Sequence, residues 1–190
     1  MSEPEPNGTC DWESYRIALR GDVRAKADKV IRHLDRLDAT TDLNSPRNEV
    51  FLAGVSGSLE RLADSLLLYN FVAAEERKKR EGESGPYQLS LEQRVSWVNP
   101  RDLPAEPDLL DEQARRLLSD IGFYSRWVRA RLDVLDMLLA ENIGCNAIAL
   151  RGLALRARKM NLRLVRLSFL IEVTKEERAR RRTLSLQANE

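Results

Sequence analysis

The chain has 190 residues, of which 43% are hydrophobic, which is enough for one domain with a packed core. No apolar run approaches the roughly 18 residues that span a bilayer, and residues 1–6 lack the basic and then apolar order of a signal peptide. Two cysteines are too few for a disulfide framework. We therefore expect no transmembrane segment and an intracellular, cytoplasmic protein. A nuclear location is the alternative, because the chain contains basic clusters.

Apolar residues recur every three or four positions in four long segments, a spacing that places them on one face of an α-helix. The first segment begins at Asp11. The second follows Ser45, which suits a helix cap, and Pro46, which suits a first helical turn, and it ends at Gly82. The predicted core positions of these two helices are Trp12, Tyr15, Leu19, Val23, Val30, Leu34 and Leu37, then Leu52, Val55, Leu59, Leu62, Leu66, Tyr69 and Ala73.

A linker over residues 82–107 separates the second and third helices and contains four prolines. Its central residues, 87–98, carry more large apolar side chains than a disordered loop would. We predict a short amphipathic helix from Ser90, which caps it, to Val98, and we expect this helix to pack on the bundle.

The third and fourth segments complete the set of long helices. The third follows Pro107 and stops near Asn142 and Gly144. Their predicted core positions are Leu110, Ala114, Leu117, Ile121, Tyr124, Val128, Leu132, Leu135 and Leu139, then Leu150, Leu153, Ala157, Met160, Leu164, Leu167 and Ile171.

These patterns predict an all-α fold, a bundle of four long antiparallel helices with a short extra helix in the linker between helices 2 and 3. Residues 11–180 form the single domain, and residues 1–10 and 181–190 are flexible tails. Because short connections are the commoner ones, an up-down-up-down order is favoured. In that order Cys10 and Cys145 lie at opposite ends of the bundle.

The residues needed for common catalytic motifs are missing from the chain. A di-metal site of the ferritin type needs two Glu-x-x-His helices, but His33 is the single histidine. The glycines form no phosphate loop, dinucleotide-binding fingerprint or nucleophile elbow. We expect no catalytic residue, no metal and no cofactor, with His33 at the rim of the core. A site built on buried carboxylates such as Glu60 or Asp64 remains the alternative.

Beyond the core stripes, the third and fourth helices carry a second line of apolar residues. A helix with two apolar faces is either central in a larger pack or half of an interface. The linker helix is able to cover one part of this ridge and leave the other for a partner chain. The predicted partner-binding ridge consists of Phe123, Trp127, Val134, Leu138, Leu155, Leu162 and Phe169.

Charge is distributed unevenly along the chain. From Cys145 onward there are eleven Lys or Arg and four Glu, a net of +7, whereas residues 1–144 carry a net of −6. The basic residues form a stripe and a C-terminal run that either bind phosphate or pair with acidic neighbours on the third helix. The candidate phosphate-binding residues are Arg156, Lys159, Arg163, Arg166, Arg178, Arg180, Arg181 and Arg182, and the candidate acidic neighbours are Asp120, Asp133 and Asp136.

Residues 77–80 and 178–182 form two basic clusters at predicted helix ends, where the helix dipole favours cations without any ligand. In the up-down-up-down order the two clusters would join into one basic cap at the same pole. We predict a non-enzymatic protein-interaction or scaffolding module that binds a protein partner or itself. The alternative function is binding of nucleic acid or of an anionic membrane through the basic residues.

Overall fold

The computed structural model describes residues 11–39, 48–81, 107–140 and 144–187. These residues form five helices and no strand: α1 (Trp12–Ala39), α2 (Glu49–Glu81), α3 (Pro107–Leu132), α4 (Leu135–Ala140) and α5 (Gly144–Gln187). The prediction of an all-α fold with four long helices is confirmed, and the observed short helix, α4, lies between α3 and α5. The short helix predicted over residues 90–98 lies outside the described residues.

The observed short helix, α4, continues the direction of α3 after a two-residue turn at 133–134. Backbone hydrogen bonds of the helical type lie on both sides of the turn, from Asp133 N to Arg129 O at 3.0 Å and from Leu138 N to Val134 O at 3.2 Å. No proline or glycine marks this position in the sequence. The interruption was therefore not predicted, and the buried positions of α3 and α4 follow one continuous pattern.

The core consists of residues that step alternately three and four positions along each helix, as expected for long helices that cross at a shallow angle. All seven core positions predicted on α2 and all seven predicted on α5 are buried. The main departure is Tyr15 on α1, which is 43% exposed. The side chain of Leu110 lies outside the described part of the chain.

Helices α1 and α2 pack antiparallel, because the start of one contacts the end of the other. Asp11 caps α1 by accepting a hydrogen bond from Ser14 N at 3.2 Å. Near this end Arg16 forms an ion pair with Glu76 of α2. At the other end of α1, the His33 ring lies 6.2 Å from the Phe51 ring, centroid to centroid.

Helix α5 packs antiparallel to α2 as well. Asn70 Nδ2, in the second half of α2, donates a hydrogen bond to Ala147 O near the start of α5 at 3.0 Å. Nearer the start of α2, Ser56 Oγ donates to Asn161 Oδ1 further along α5.

Helix α3 packs on α5, again in the opposite direction. Arg163 Nε donates to Asp120 Oδ2 at 2.6 Å, whereas Arg156, earlier on α5, contacts Trp127, later on α3. The four long helices therefore form a ring in the order α1, α2, α5 and α3.

If the direction of α1 is called up, then α2 and α3 run down and α5 runs up. Contacts between α1 and α3–α4 agree, since Asp35 pairs with Arg129 and Arg24 pairs with Asp136. The predicted up-down-up-down order is therefore wrong. The preference for short connections does not apply here, because the 25 residues between α2 and α3 can reach about 80 Å, well beyond the length of the bundle.

Helices α1 and α5 consequently begin at the same pole. The Trp12 ring lies 6.3 Å from the Phe71 ring, one residue from the contact of Asn70 with Ala147. Cys10 and Cys145 were predicted at opposite ends from the up-down-up-down order, which does not occur, and Cys10 itself lies outside the described residues.

Helix α5 is longer than its neighbours. Its 44 residues extend about 66 Å, compared with about 50 Å for the 33 residues of α2. Among the residues of α5 whose side chains are described, Ile171 is the last buried one, and residues 178–184 are all exposed. The helix continues through residues 181–187, which the sequence analysis assigned to a C-terminal tail.

Candidate interaction surface

The predicted ridge on α3 and α4 is partly open and partly packed. Phe123 is 56% exposed. Trp127, Val134 and Leu138 are half-buried, and Trp127 and Leu138 pack against the core. Leu138 therefore contributes to the interior of the bundle, whereas Phe123 keeps most of its ring accessible.

The predicted ridge on α5 follows one line along the helix. Leu155, Leu162 and Phe169 lie seven residues apart, and all three are half-buried. Ile148 lies on the same line, seven residues before Leu155, and is 76% exposed. The three predicted ridge residues of α5 are thus less accessible than Phe123, whereas Ile148 is more accessible.

The basic stripe of α5 lies against the aromatic residues of α3. The guanidinium carbon of Arg156 lies 3.9 Å from the centroid of the Trp127 ring, and that of Arg163 lies 4.6 Å from the centroid of the Tyr124 ring. Such cation–π contacts contribute about 0.5–1 kcal/mol at exposed sites. Two surfaces that the sequence analysis treated as separate, the apolar ridge and the basic stripe, therefore meet between α3 and α5.

Pairing with acidic neighbours accounts for only part of the stripe. Asp120 accepts a hydrogen bond from Arg163, but Asp136 accepts from Arg24 of α1 at 2.6 Å instead of from α5. Lys159 and Arg166 are exposed, and no ion pair joins them to another residue in the described ranges. Pairing with an acidic residue of α3 therefore fits Arg163, whereas Lys159 and Arg166 fit the interpretation as candidates for phosphate binding.

The two basic clusters lie at opposite poles, because α2 runs down and α5 runs up. The predicted single basic cap is therefore wrong. At the end of α2, Lys78 Nζ donates to Glu75 Oε1 at 3.0 Å. At the end of α5, Arg181 Nε donates to Glu177 Oε1 at 3.2 Å, while Arg178 and Arg180 are exposed.

The carboxylates considered for an unconventional catalytic site are not buried. Glu60 and Asp64 are both exposed on α2, and Asp64 accepts a hydrogen bond from Arg158 at 2.7 Å. That alternative is wrong as formulated. His33 is half-buried beside Phe51, in agreement with its predicted place at the rim of the core.

A row of residues lies on the outside of α3 and α4, and of its members only Phe123 was predicted to bind a partner. Phe123, Ala130 and Met137 lie seven positions apart, and Met137 is 66% exposed. The same seven-residue spacing identified the ridge on α5, so the signal was present. We define the outer face of α3–α4 as this row and its flanking residues, namely Phe123, Arg126, Trp127, Ala130, Asp133, Val134 and Met137.

A cleft of about 240 Å³ borders the outer face on its α1 side, between α1 and the junction of α3 with α4, and Asp133 belongs to both. Arg24, Asp133 and Asp136 provide charged groups at its wall, and Ile31 and Leu132 provide apolar ones. Because the ion pair of Arg24 with Asp136 crosses from α1 to α4, it ties together the two sides of this cleft.

Within the four described ranges, no helix is both long enough and apolar enough to cross a membrane. The same residues contain no group of three or more His, Cys, Asp or Glu side chains that could hold a metal ion. In comparisons with known proteins, no family model, curated protein or solved structure matches the chain. The geometry of the surface is therefore the basis for a functional proposal.

Proposed function

We propose that this chain is a non-enzymatic, intracellular helical module for protein interaction or scaffolding, and that the outer face of α3–α4 is its partner-binding surface. The observation that carries the proposal is the exposure of Phe123 and Met137 on one row, at 56% and 66%. Burial of a large apolar side chain contributes roughly 1.5–3 kcal/mol, so a partner that covers both residues gains a substantial apolar contact.

Half-buried residues flank this row and extend the apolar area. Trp127 and Val134 lie on the side of the face that looks towards α5. A central aromatic residue with surrounding apolar contacts is the usual composition of a protein-binding hot spot. Leu155, Leu162 and Phe169 form a second, less accessible strip on α5 within the same proposal.

Site-specific photocrosslinking in cells that express the chain tests this function. A benzophenone amino acid replaces Phe123 or Met137, and the matched control replaces Ile17, which is 59% exposed on α1. We expect crosslinks to one and the same protein from positions 123 and 137, and none to that protein from position 17. Equal labelling from all three positions, or none from 123 and 137, would contradict the proposal.

A second candidate function is binding of an anionic polymer or membrane surface. It is favoured by the end of α5, where residues 178–184 are exposed and include Arg178 and Arg180. Two facts count against it: the basic clusters lie at opposite poles, and Arg156 and Arg163 of the stripe already contact α3.

Salt dependence separates the two functions. Phosphate binding weakens steeply as salt rises, because counterions are released, whereas an apolar interface changes little. We expect fluorescence titrations with RNA, DNA and anionic vesicles to show at most weak binding that disappears at physiological salt. Binding that survives physiological salt, and that is lost when Arg178 and Arg180 are changed to Glu, would favour the second candidate.

A further inference from the structure

We propose that the partner of the outer face of α3–α4 is a second copy of the same chain, packed antiparallel about a twofold axis at Ala130. The inference rests on the proposed function, since it uses the same surface. A twofold interface requires a self-complementary patch, in which residue i meets residue j and j meets i. The residues of this face meet that requirement in three places: along the central row, on the flank towards α1 and on the flank towards α5.

The central row provides the first match. Phe123 and Met137 lie seven residues on either side of Ala130, so an antiparallel pairing about Ala130 places Phe123 of one copy opposite Met137 of the other. Contacts between a methionine sulfur and an aromatic ring are favourable. Ala130 is exposed, and its small side chain permits close approach of the two helices at the axis.

The flank towards α1 provides the second match. Arg129 and Asp136 contact α1, and residues three apart on a helix share a side, so Arg126 and Asp133 lie on this flank. In the twofold pair Arg126 of one copy lies level with Asp133 of the other to within one residue, or about 1.5 Å along the helix. Both side chains are exposed, and neither forms an ion pair within the described part of the chain.

The flank towards α5 provides the third match. Trp127 faces α5, where it contacts Arg156, and Val134 lies seven residues further along the same flank. The twofold axis keeps like flanks on the same side, so Trp127 of one copy meets Val134 of the other. Apolar residues therefore meet apolar residues on this side, and opposite charges meet on the other.

The charges also select the direction of packing. A parallel pair about a twofold axis along the helices would bring the flank towards α1 of one copy against the flank towards α5 of the other. Arg126 and Asp133 would then face Trp127 and Val134 and lose their oppositely charged partners, which is unfavourable. The contact covers one helix face of 15 residues, from 123 to 137, which extends about 21 Å, so the interface is small. Small interfaces are weak, and we expect a dimer whose population depends on concentration in the micromolar range.

Charge reversal tests the pairing directly. Arg126→Asp alone gives a face with two aspartates, and Asp133→Arg alone gives a face with two arginines. Each variant alone opposes like charges twice, so we expect its dimer dissociation constant to rise by about tenfold. An equimolar mixture of the two variants opposes unlike charges at both positions, and we expect this mixture to form heterodimers as stable as the original dimer.

Sedimentation equilibrium over a range of concentrations measures these constants, with Arg166→Asp as a control that makes the same charge change on α5. Rescue in the mixture excludes a folding defect as the cause of the loss. The inference is overturned if the unmodified chain is a monomer at all concentrations, or if the two reversals leave its dimer unchanged. If the chain is monomeric but positions 123 and 137 crosslink to another protein in cells, self-association fails and the proposed function stands.

Discussion

Arg156 of α5 lies over the ring of Trp127 of α3, with its guanidinium carbon 3.9 Å from the ring centroid. Arg131 approaches the same ring at 5.2 Å. The indole is thus in contact with two cations and also packs against the core. This arrangement links a residue predicted to bind a partner with one predicted to bind phosphate, and it gives both a structural role at the joint of α3 and α5.

Replacement of Trp127 by Ala should lower the free energy of unfolding by about 1–2 kcal/mol. The loss is smaller than the 3–5 kcal/mol typical of a fully buried tryptophan, because this ring is only half-buried. In a double-mutant cycle with Arg156→Ala, we expect a coupling energy of about 0.5–1 kcal/mol, measured by urea unfolding. Arg151→Ala, on an exposed part of α5, is the control and should not couple with Trp127. Strict additivity of the first pair would contradict a direct contact.

The ion pair of Arg16 with Glu76 should be the polar contact between α1 and α2 whose loss lowers the free energy of unfolding most. The side chains are 14% and 6% exposed, so the ion pair compensates two charges that are largely removed from water. Removal of one partner from a buried pair typically costs 3–5 kcal/mol. We expect Glu76→Ala to destabilise the bundle by about 3 kcal/mol in chemical unfolding.

The control for this prediction is the exposed pair of Arg158 with Asp64, whose side chains are 33% and 59% exposed. Exposed pairs contribute about 0–1 kcal/mol, so Asp64→Ala should have little effect. Replacement of both buried charges, as Arg16→Met with Glu76→Leu, should restore much of the loss caused by Glu76→Ala. Equal losses from Asp64→Ala and Glu76→Ala would show that burial does not determine the contribution of the pair.

The helical segments and most core positions were predictable from the sequence because helix periodicity is local. Burial of one apolar face requires apolar residues at steps of three and four. On α2 and α5, every core residue predicted from this spacing is buried. Contacts across the bundle are not local. Asp136 could pair with an arginine of α5 or with Arg24 of α1, and only the packing of α4 beside α1 selects Arg24.

The direction of α3 illustrates the same limit. The linker is long enough to reach either pole, so chain length allowed both orders, and periodicity is the same in both directions. The decision depends on which helices become neighbours. The pairings of α3 residues with Arg163 and Asp35 then determine that the basic clusters of α2 and α5 are apart.

Distances between spin labels test the helix order. Val50 and Leu68 lie on the same side of α2, since 18 residues make five full turns, and both are exposed. Arg115 is exposed near the start of α3. Because α2 and α3 run parallel, we expect the distance from 115 to 50 to be shorter than the distance from 115 to 68 in pulsed electron resonance. The reverse ranking would indicate the up-down-up-down order.

The imidazole of His33 should make the bundle less stable in mildly acidic solution. Burial lowers the pKa of His33 below its ordinary value, and the positive charges of Lys29, Arg32, Arg36 and Arg61 lower it further. Below pH 6.5 the unfolded chain therefore binds more protons at this position than the folded chain does. The free energy of unfolding falls as the pH falls from about 6.5 towards the folded pKa, and then becomes constant with respect to this group.

Replacement of His33 by Gln should remove this part of the pH dependence while the stability at pH 8 changes little. Urea unfolding at intervals between pH 8 and pH 5 measures the effect. The pKa of Asp22 is also lowered, chiefly by its hydrogen bond from Lys26, but its contribution is lost only as the pH falls below 3.8 and so lies outside this window. If the stability of the unmodified chain rises towards pH 5, or if His33→Gln leaves its slope unchanged, the imidazole is not held in its neutral form by its surroundings.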